Sequence, residues 1–263
     1  MELNIQFINA FTDVVFKGNS AAVVMLDEWL TEDVMQAIAT ENNLSETAFV
    51  KPLTKSNFEI RWFSPLTEID FCGHATLAAS FEIFSQNSLL KEITFSTLAV
   101  GELTVTSKSD GYFQMSFPNR APKELSRIPP ALLEGLSIPP ANVLLSKQAY
   151  FVIYPDDEDV FNVIPDCILL KELAPYDVVV TAASNQFDFV SRYFWPANGG
   201  DEDPVTGSIH TGLAPFWSAR LNKKELVAYQ ASDRGGILYC VVSGDRVLIS
   251  GDAVQYLKGE IVI

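Results

Sequence analysis

The segment Asp70-Phe71-Cys72-Gly73-His74-Ala75-Thr76 is the most informative part of the sequence, because a variant of it returns in the second half of the chain. Aligning Trp62-Phe63-Ser64-Pro65 with Phe194-Trp195-Pro196 brings Gly73-His74-Ala75 onto Gly207-Ser208-Ile209. About three extra residues of the second copy fall in the loop Asn198-Gly199-Gly200-Asp201. In each copy an aromatic strand is followed by a polar loop and by a helix of small residues that opens at glycine. The chain therefore contains an internal repeat.

The repeat predicts two helix N-termini that face each other across one cleft. The first N–H groups of a helix have no partner within it, and they bind anions readily. An alternative is that glycine and small residues only let two helices pack closely. Acidic residues and a histidine beside the helix starts favour an active site that holds an anion or an oxyanion.

Composition limits the class of protein. A chain of 263 residues fits one large domain or two of ordinary size, and 48% hydrophobic residues argue against disorder. The formal net charge of −15, with Lys223-Lys224 as the only adjacent basic pair, argues against nucleic-acid binding. No apolar run reaches the roughly 18 residues of a membrane span, and no signal peptide is evident.

The cysteines and histidines predict no disulfide and no metal site. Three cysteines without a CxxC pair are typical of reduced thiols in a cytoplasmic protein. Two histidines, His74 and His210, without an HExxH motif offer no ligand spacing for a metal.

The order of predicted elements indicates an α+β fold made of two similar halves, each a strand-rich, barrel-like sheet around one central helix. The central helices are predicted at residues 73–84 and 207–221, because both segments are apolar on nearly every side. Pro215 should bend or shorten the second. Prolines cluster from Pro118 to Pro140 and predict a domain boundary, giving an N-terminal half at 1–118 and a C-terminal half at 119–263 whose last strand could pack back on the first half.

Several motifs resemble, in order and over nearly the whole chain, the phenazine-biosynthesis PhzF-like family. They are Phe16-Lys17-Gly18-Asn19-Ser20-Ala21-Ala22-Val23, Asn43-Leu44-Ser45-Glu46-Thr47-Ala48-Phe49, Asp70 to Thr76, Glu202-Asp203-Pro204-Val205-Thr206-Gly207-Ser208, and Gln230-Ala231-Ser232-Asp233-Arg234-Gly235-Gly236. The resemblance implies a diaminopimelate-epimerase-like fold. It also implies a cofactor-independent isomerase that acts on a small carboxylate-bearing molecule, commonly as a homodimer.

The resemblance also implies the site residues. The catalytic acids and base fall on Glu46, His74 and Asp203, and the substrate-binding amides fall on Gly73, Gly207 and Ser208. Two departures put substrate details in doubt. Ser20 stands where the family usually has proline, and Ile209-His210 follow where a small residue is common.

Each catalytic assignment has a structural alternative. Glu46 could lie on the solvent side of an edge strand, although a carboxyl group in a partly dry cleft can both give and take a proton. His74 could be an ordinary histidine at a helix start, where the dipole disfavours the protonated ring and Asp203 could restore its charge. Asp203-Pro204 could be the N-cap and first residue of a helix.

Cys72 tests a rival mechanism. Racemases that resemble this layout use two thiols, one beside each helix start, but the position that matches Cys72 is Thr206, a poor base. We therefore interpret Cys72 as a small buried residue and His210 as a packing residue. The sequence predicts an isomerase that moves a proton by Glu46 acid/base catalysis. The alternative is a silent small-anion binding module, and a two-base epimerase is less favoured.

Overall fold

The computed structural model describes all residues, Met1–Ile263, in eighteen strands and six α-helices. The strands are β1 Glu2–Ala10, β2 Asn19–Met25, β3 Glu46–Pro52, β4 Asn57–Phe63, β5 Glu68–Ile69, β6 Glu92–Ser96, β7 Glu102–Ser107, β8 Phe113–Pro118, β9 Lys123–Glu124, β10 Asn142–Leu145, β11 Ala149–Ile153, β12 Asp177–Ala183, β13 Phe189–Trp195, β14 Gly200–Asp203, β15 Glu225–Gln230, β16 Gly236–Ser243, β17 Arg246–Gly251 and β18 Ala253–Val262. The helices are α1 Glu32–Asn42, α2 Gly73–Gln86, α3 Pro130–Glu134, α4 Asp157–Asn162, α5 Cys167–Leu170 and α6 His210–Leu221.

The chain forms two compact units. The first unit comprises Met1–Ser116 together with Ser250–Ile263, and the second comprises Phe117–Ile249. The last strand, β18, belongs to the first unit because it pairs antiparallel with β1 along nine residues of that strand.

In the first unit, the strands follow one order of pairing around α2. β1 pairs antiparallel with β2, β2 parallel with β3, and β3 antiparallel with β4. β4 then pairs antiparallel with β5 and parallel with β6, which pairs antiparallel with β7. Eleven of the fourteen residues of α2 are buried, as its apolar composition predicts. A second core lies under α1, where Met35, Ile38 and Ala39 pack on the strands.

The second unit repeats this order of pairing. β10 pairs antiparallel with β11, β11 parallel with β12, and β12 antiparallel with β13. β13 pairs antiparallel with β14 and parallel with β15, which pairs antiparallel with β16. α2 stands between β5 and β6, and α6 stands between β14 and β15, so the repeat seen in the sequence is a repeat of topology.

The predicted start of the second central helix was wrong. α6 begins at His210, because residues 207–209 form a tighter turn in which the N–H groups of His210 and Thr211 bond three residues back, to Gly207 and Ser208. Pro215 lies inside α6 without ending it, since the helix runs on to Leu221. The loop before the turn is also more regular than predicted, because Gly200–Asp203 pairs with β13 as β14.

None of the helices is both long enough and apolar enough to cross a membrane.

Candidate active site

Glu46 is the first residue of β3 and lies beside Ala21 of the parallel strand β2. β3 also pairs with β4, so it is an internal strand, and Glu46 is only 7% exposed. The edge-strand alternative for Glu46 is therefore wrong. A carboxyl group that is buried at the start of an internal strand needs a polar partner, because burial without one is costly.

His74, the second residue of α2, supplies that partner. Its Nε2 lies 2.9 Å from Glu46 Oε2, and both side chains are buried. The two atoms are at ion-pair distance, and the pair is shielded from solvent because both side chains are buried. A histidine and a carboxylate in this arrangement can share a proton.

The other ring nitrogen of His74 contacts two side chains. Asn19 Nδ2 lies 3.2 Å and Cys72 Sγ 3.5 Å from Nδ1, and Asn19 Oδ1 accepts a hydrogen bond of 3.1 Å from Ser45 Oγ. In the neutral ring, Nδ1 accepts from Asn19, and Nε2 carries the hydrogen that faces Glu46. In the protonated ring both nitrogens donate, and Cys72 Sγ is the acceptor within reach of Nδ1.

The charge state of this cluster follows from its burial. Burial lowers the pKa of His74, but the neighbouring Cys72 and Glu46 groups raise that pKa, and the net effect is a pKa well above the ordinary value. Burial and the charge of Glu46 raise the pKa of the Cys72 thiol to about 11, so Cys72 is a neutral thiol near pH 7. Contacts with Cys72 and Glu46 therefore favour the protonated form of His74, a role for which the sequence offered Asp203.

Glu46, Cys72 and His74 also form a possible donor set for a metal. One donor atom from each lies within 4.8 Å of the other two, and all three residues are buried. A carboxylate, a thiolate and an imidazole together suit zinc. Sequence motifs could not reveal this set, because strand β3 contributes one donor and the start of α2 contributes the other two.

The backbone at the start of α2 offers donors of its own. The carbonyl of Cys72 accepts bonds from Thr76 N at 3.1 Å and Thr76 Oγ1 at 2.6 Å, which fixes the first turn. The N–H of Ala75 is directed at Cys72 Sγ. The N–H groups of Gly73 and His74 have no acceptor, as expected for a helix N-terminus.

In the second unit, the turn before α6 presents a similar set. The N–H groups of Gly207, Ser208 and Ile209 have no acceptor. The hydroxyl of Ser208 accepts a hydrogen bond of 2.9 Å from Gln148 Nε2. Gly207 and Ser208 are thus predicted binding residues whose free donors lie in a turn instead of a helix.

Asp203 ends β14 and is not a helix N-cap, because α6 begins seven residues later. Its Oδ2 accepts a hydrogen bond of 2.5 Å from Thr206 Oγ1. Gln230 fixes this loop, since its Nε2 donates to Asp203 O at 2.8 Å and its Oε1 accepts from Thr206 N at 2.8 Å. The hydroxyl of Thr206 therefore donates its hydrogen to Asp203, and Gln230 holds the same loop.

His210 is a neutral core residue, as the sequence analysis favoured. Burial lowers its pKa to about 4, against a smaller opposite effect of the backbone carbonyl of Thr206. Nδ1 donates to Thr206 O at 2.8 Å, and the ring packs beside Phe189.

The sequence analysis missed Asp177, which occupies in the second unit the place of Glu46. Phe63 aligns with Phe194, and the same offset carries Glu46 onto Asp177, the first residue of β12. Burial raises the pKa of Asp177, while hydrogen bonds from Tyr193 and Asn198 lower it in part. Tyr193 OH donates to Asp177 and accepts from Gln148, which also binds Ser208. Extending the repeat alignment to the strand starts would have found this acid.

Comparisons with known proteins agree with this arrangement. The family model described as phenazine biosynthesis-like protein (PhzC-PhzF) matches residues 8–259. An uncharacterized isomerase of Pseudomonas aeruginosa is 45% identical over 261 residues, which is 99% of each chain. A crystal structure of a PhzF family protein from Enterococcus faecalis has a TM-score of 0.95 at 42% identity and covers 100% of both chains.

More distant structures share only the fold. A hydroxyproline epimerase from Agrobacterium vitis has a TM-score of 0.62 at 10% identity and covers 99% of this chain and 92% of its own. The predicted α+β, epimerase-like fold is thereby confirmed. The chain belongs to the phenazine biosynthesis-like (PhzC-PhzF) family and is an enzyme of the isomerase type.

Proposed function

We propose that this isomerase moves a proton within a small carboxylate-bearing metabolite, with Glu46 as the acid/base and without a cofactor. The observation that carries the proposal is the buried Glu46–His74 pair, in which Glu46 Oε2 and His74 Nε2 lie 2.9 Å apart. A general base needs a free lone pair near the proton that it removes, and a dry setting strengthens every charge interaction around it.

In the proposed reaction, Glu46 takes a proton from carbon, and the bonding electron pair remains on the substrate as an enolate-like system. Glu46 then returns the proton at another carbon, so that atoms and charge balance over the cycle. His74, protonated beside Glu46, lies at ion-pair distance from the carboxylate and can share the proton after the transfer. Asp203 is proposed to take part in this proton sharing.

Backbone amides are proposed to hold the substrate carboxylate and the developing negative charge. The donors are Gly73, Gly207 and Ser208, whose N–H groups have no acceptor within the protein. One such donor contributes on the order of 3 kcal/mol to the transition state in well-studied enzymes. The proposed substrate is a small anion. We also propose that the enzyme acts in the cytoplasm as a homodimer.

The experiment is a screen of small carboxylic acids for incorporation of solvent deuterium. The wild-type protein should incorporate deuterium into its substrate. In Glu46→Gln the rate of incorporation should fall about 10²–10⁴-fold, because the amide cannot take up the proton. Glu41→Gln makes the same chemical change at an exposed position of α1 and should leave the rate unchanged.

Two outcomes would contradict the proposal. Normal exchange in Glu46→Gln would remove Glu46 as the base and favour His74 instead. Tight binding of an acid without exchange in the wild type would favour the alternative of a silent anion-binding module. A two-base epimerase is disfavoured because Thr206, at the position of the second thiol, is held in hydrogen bonds to Asp203 and Gln230.

A further inference from the structure

A second polar pocket lies in the first unit at the far end of α2. His74 is in the first turn of α2 and Glu82 in its last part, so about 12 Å of helix axis separates them. Beside Glu82 lies a cavity of about 610 Å³ bordered by β1, β2 and Trp29. This volume suits an organic molecule.

Glu82 has no positively charged partner in this pocket. It is 4% exposed and forms no ion pair, and its carboxylate accepts one side-chain hydrogen bond, from Gln86 Nε2 one turn further along α2. A buried carboxylate without a cation is costly, because the charge has lost water and gained little in return. The isomerase mechanism proposed above does not use this group.

Gln6 gives an independent indication. It lines the same cavity from β1, is 4% exposed, and its Oε1 has no hydrogen-bond donor. Buried acceptors in folded proteins nearly always have a donor. The missing partner of Gln6 is therefore a hydrogen-bond donor, and the missing partner of Glu82 is a cation.

The surroundings also favour a cation. The last carbonyl groups of α2 form the negative end of the helix dipole. Glu2, Asp27 and Glu28 line the cavity, against two cations, the exposed Lys258 and the N-terminal ammonium of Met1, which bonds to the carbonyl of Ile263. Apolar side chains of β2 and the indole of Trp29 complete the wall.

We propose that the first unit binds a small organic ammonium ion in this cavity. Its N–H groups bond to Glu82 and to Gln6 Oε1, and its apolar part lies against Val23 and Trp29. This proposal does not depend on the isomerase reaction, because none of these residues contributes to the Glu46–His74 pair.

Calorimetric titration of the full-length protein with hexylammonium tests the proposal, with hexanol and hexanoate as neutral and anionic probes of the same length. Hexylammonium should bind saturably, with one site per chain, and more tightly than hexanol or hexanoate. Glu82→Gln keeps the shape of the side chain but removes its charge, and should weaken hexylammonium binding about tenfold. Glu41→Gln, the same change at an exposed position of α1, should leave binding unchanged.

Gln6→Leu provides a second test that leaves Glu82 intact. It should weaken hexylammonium binding and leave hexanol binding unaffected, because it removes only the acceptor. The proposal fails if hexylammonium shows no saturable binding, if it binds no more tightly than hexanol, or if neither Glu82→Gln nor Gln6→Leu weakens it. If Glu82→Gln does not fold, the result with Gln6→Leu decides.

Discussion

The start of α2 and the turn before α6 occupy the same place in two copies of one topology, yet they carry different chemistry. Both present backbone N–H groups without acceptors, at Gly73 and His74 in the first copy and at Gly207 and Ser208 in the second. Only the first copy adds a buried ionisable pair, Glu46 with His74. The free backbone donors are thus present in both copies, and the buried ionisable pair is present in one.

The strand starts show how the second copy differs. Glu46 contacts a histidine directly, whereas Asp177, its counterpart, is hydrogen-bonded to Tyr193 and Asn198. Through Tyr193 and Gln148 this acid is connected to Ser208. The same topological position therefore holds a carboxyl group paired with a histidine in one copy and a carboxyl group hydrogen-bonded to a tyrosine and an asparagine in the other.

Among these variants, the largest effect on kcat is expected for His74→Gln, and Ser208→Ala provides the comparison in the second copy. Loss of the His74 proton leaves Glu46 buried without a countercharge, so kcat should fall about 10²-fold or more. Ser208→Ala keeps the backbone N–H and removes only the hydroxyl that binds Gln148, so kcat should change less than tenfold. Steady-state kinetics on the substrate found by deuterium screening measures both, and similar losses in the two variants would contradict the division of roles.

The pH dependence of stability distinguishes the two copies as well. The pKa of His74 is raised in the folded state, so its contribution to the free energy of unfolding is complete below its unfolded pKa, near 6.5, and is lost as pH rises through the folded value. The stability difference between wild type and His74→Gln should therefore shrink above pH 6.5, by at most about 1.4 kcal/mol per pH unit for one proton. Urea unfolding between pH 6 and pH 10 measures it, and a difference that grows with pH would contradict the ion pair.

Asp177→Asn should have the smallest effect. Because burial raises the pKa of Asp177, ionisation of this group reduces stability as pH rises from its unfolded value toward the folded one. Between acidic and neutral pH, the free energy of unfolding of Asp177→Asn should therefore increase relative to that of the wild type, by at most about 1 kcal/mol. Its kcat should change less than tenfold, and thermal unfolding with kinetics on the same samples checks both. A decrease in kcat as large as that of His74→Gln would show that Asp177 takes part in the reaction.

The sequence predicted the repeated topology, because the repeat is visible in local patterns. It also predicted Glu46 and His74 as partners, through the resemblance to the family. Gly73 opens α2 as predicted, and Glu46 and His74 come from motifs that a family resemblance identifies. The start of α6 could not be predicted, because residues 207–209, just before it, adopt a tighter turn that the same small residues also allow. Asp177 was missed because its strand gives no local motif. The donor set that Cys72 joins, like the orphan Gln6 in its cavity, exists only after distant strands and helices pack.

The most direct test of the account measures the protonation of two histidines, one in each copy, by ¹⁵N NMR of their rings. The chain has only His74 and His210, so the spectrum of His74→Gln assigns both. At pH 7 we expect a doubly protonated ring for His74 and a neutral ring, protonated on Nδ1, for His210. In Glu46→Gln, the pKa of His74 should fall and the ring should become neutral at pH 7. A neutral His74 in the wild type at pH 7, or one that stays protonated in Glu46→Gln, would contradict the claim that the first copy alone holds a charged acid/base pair.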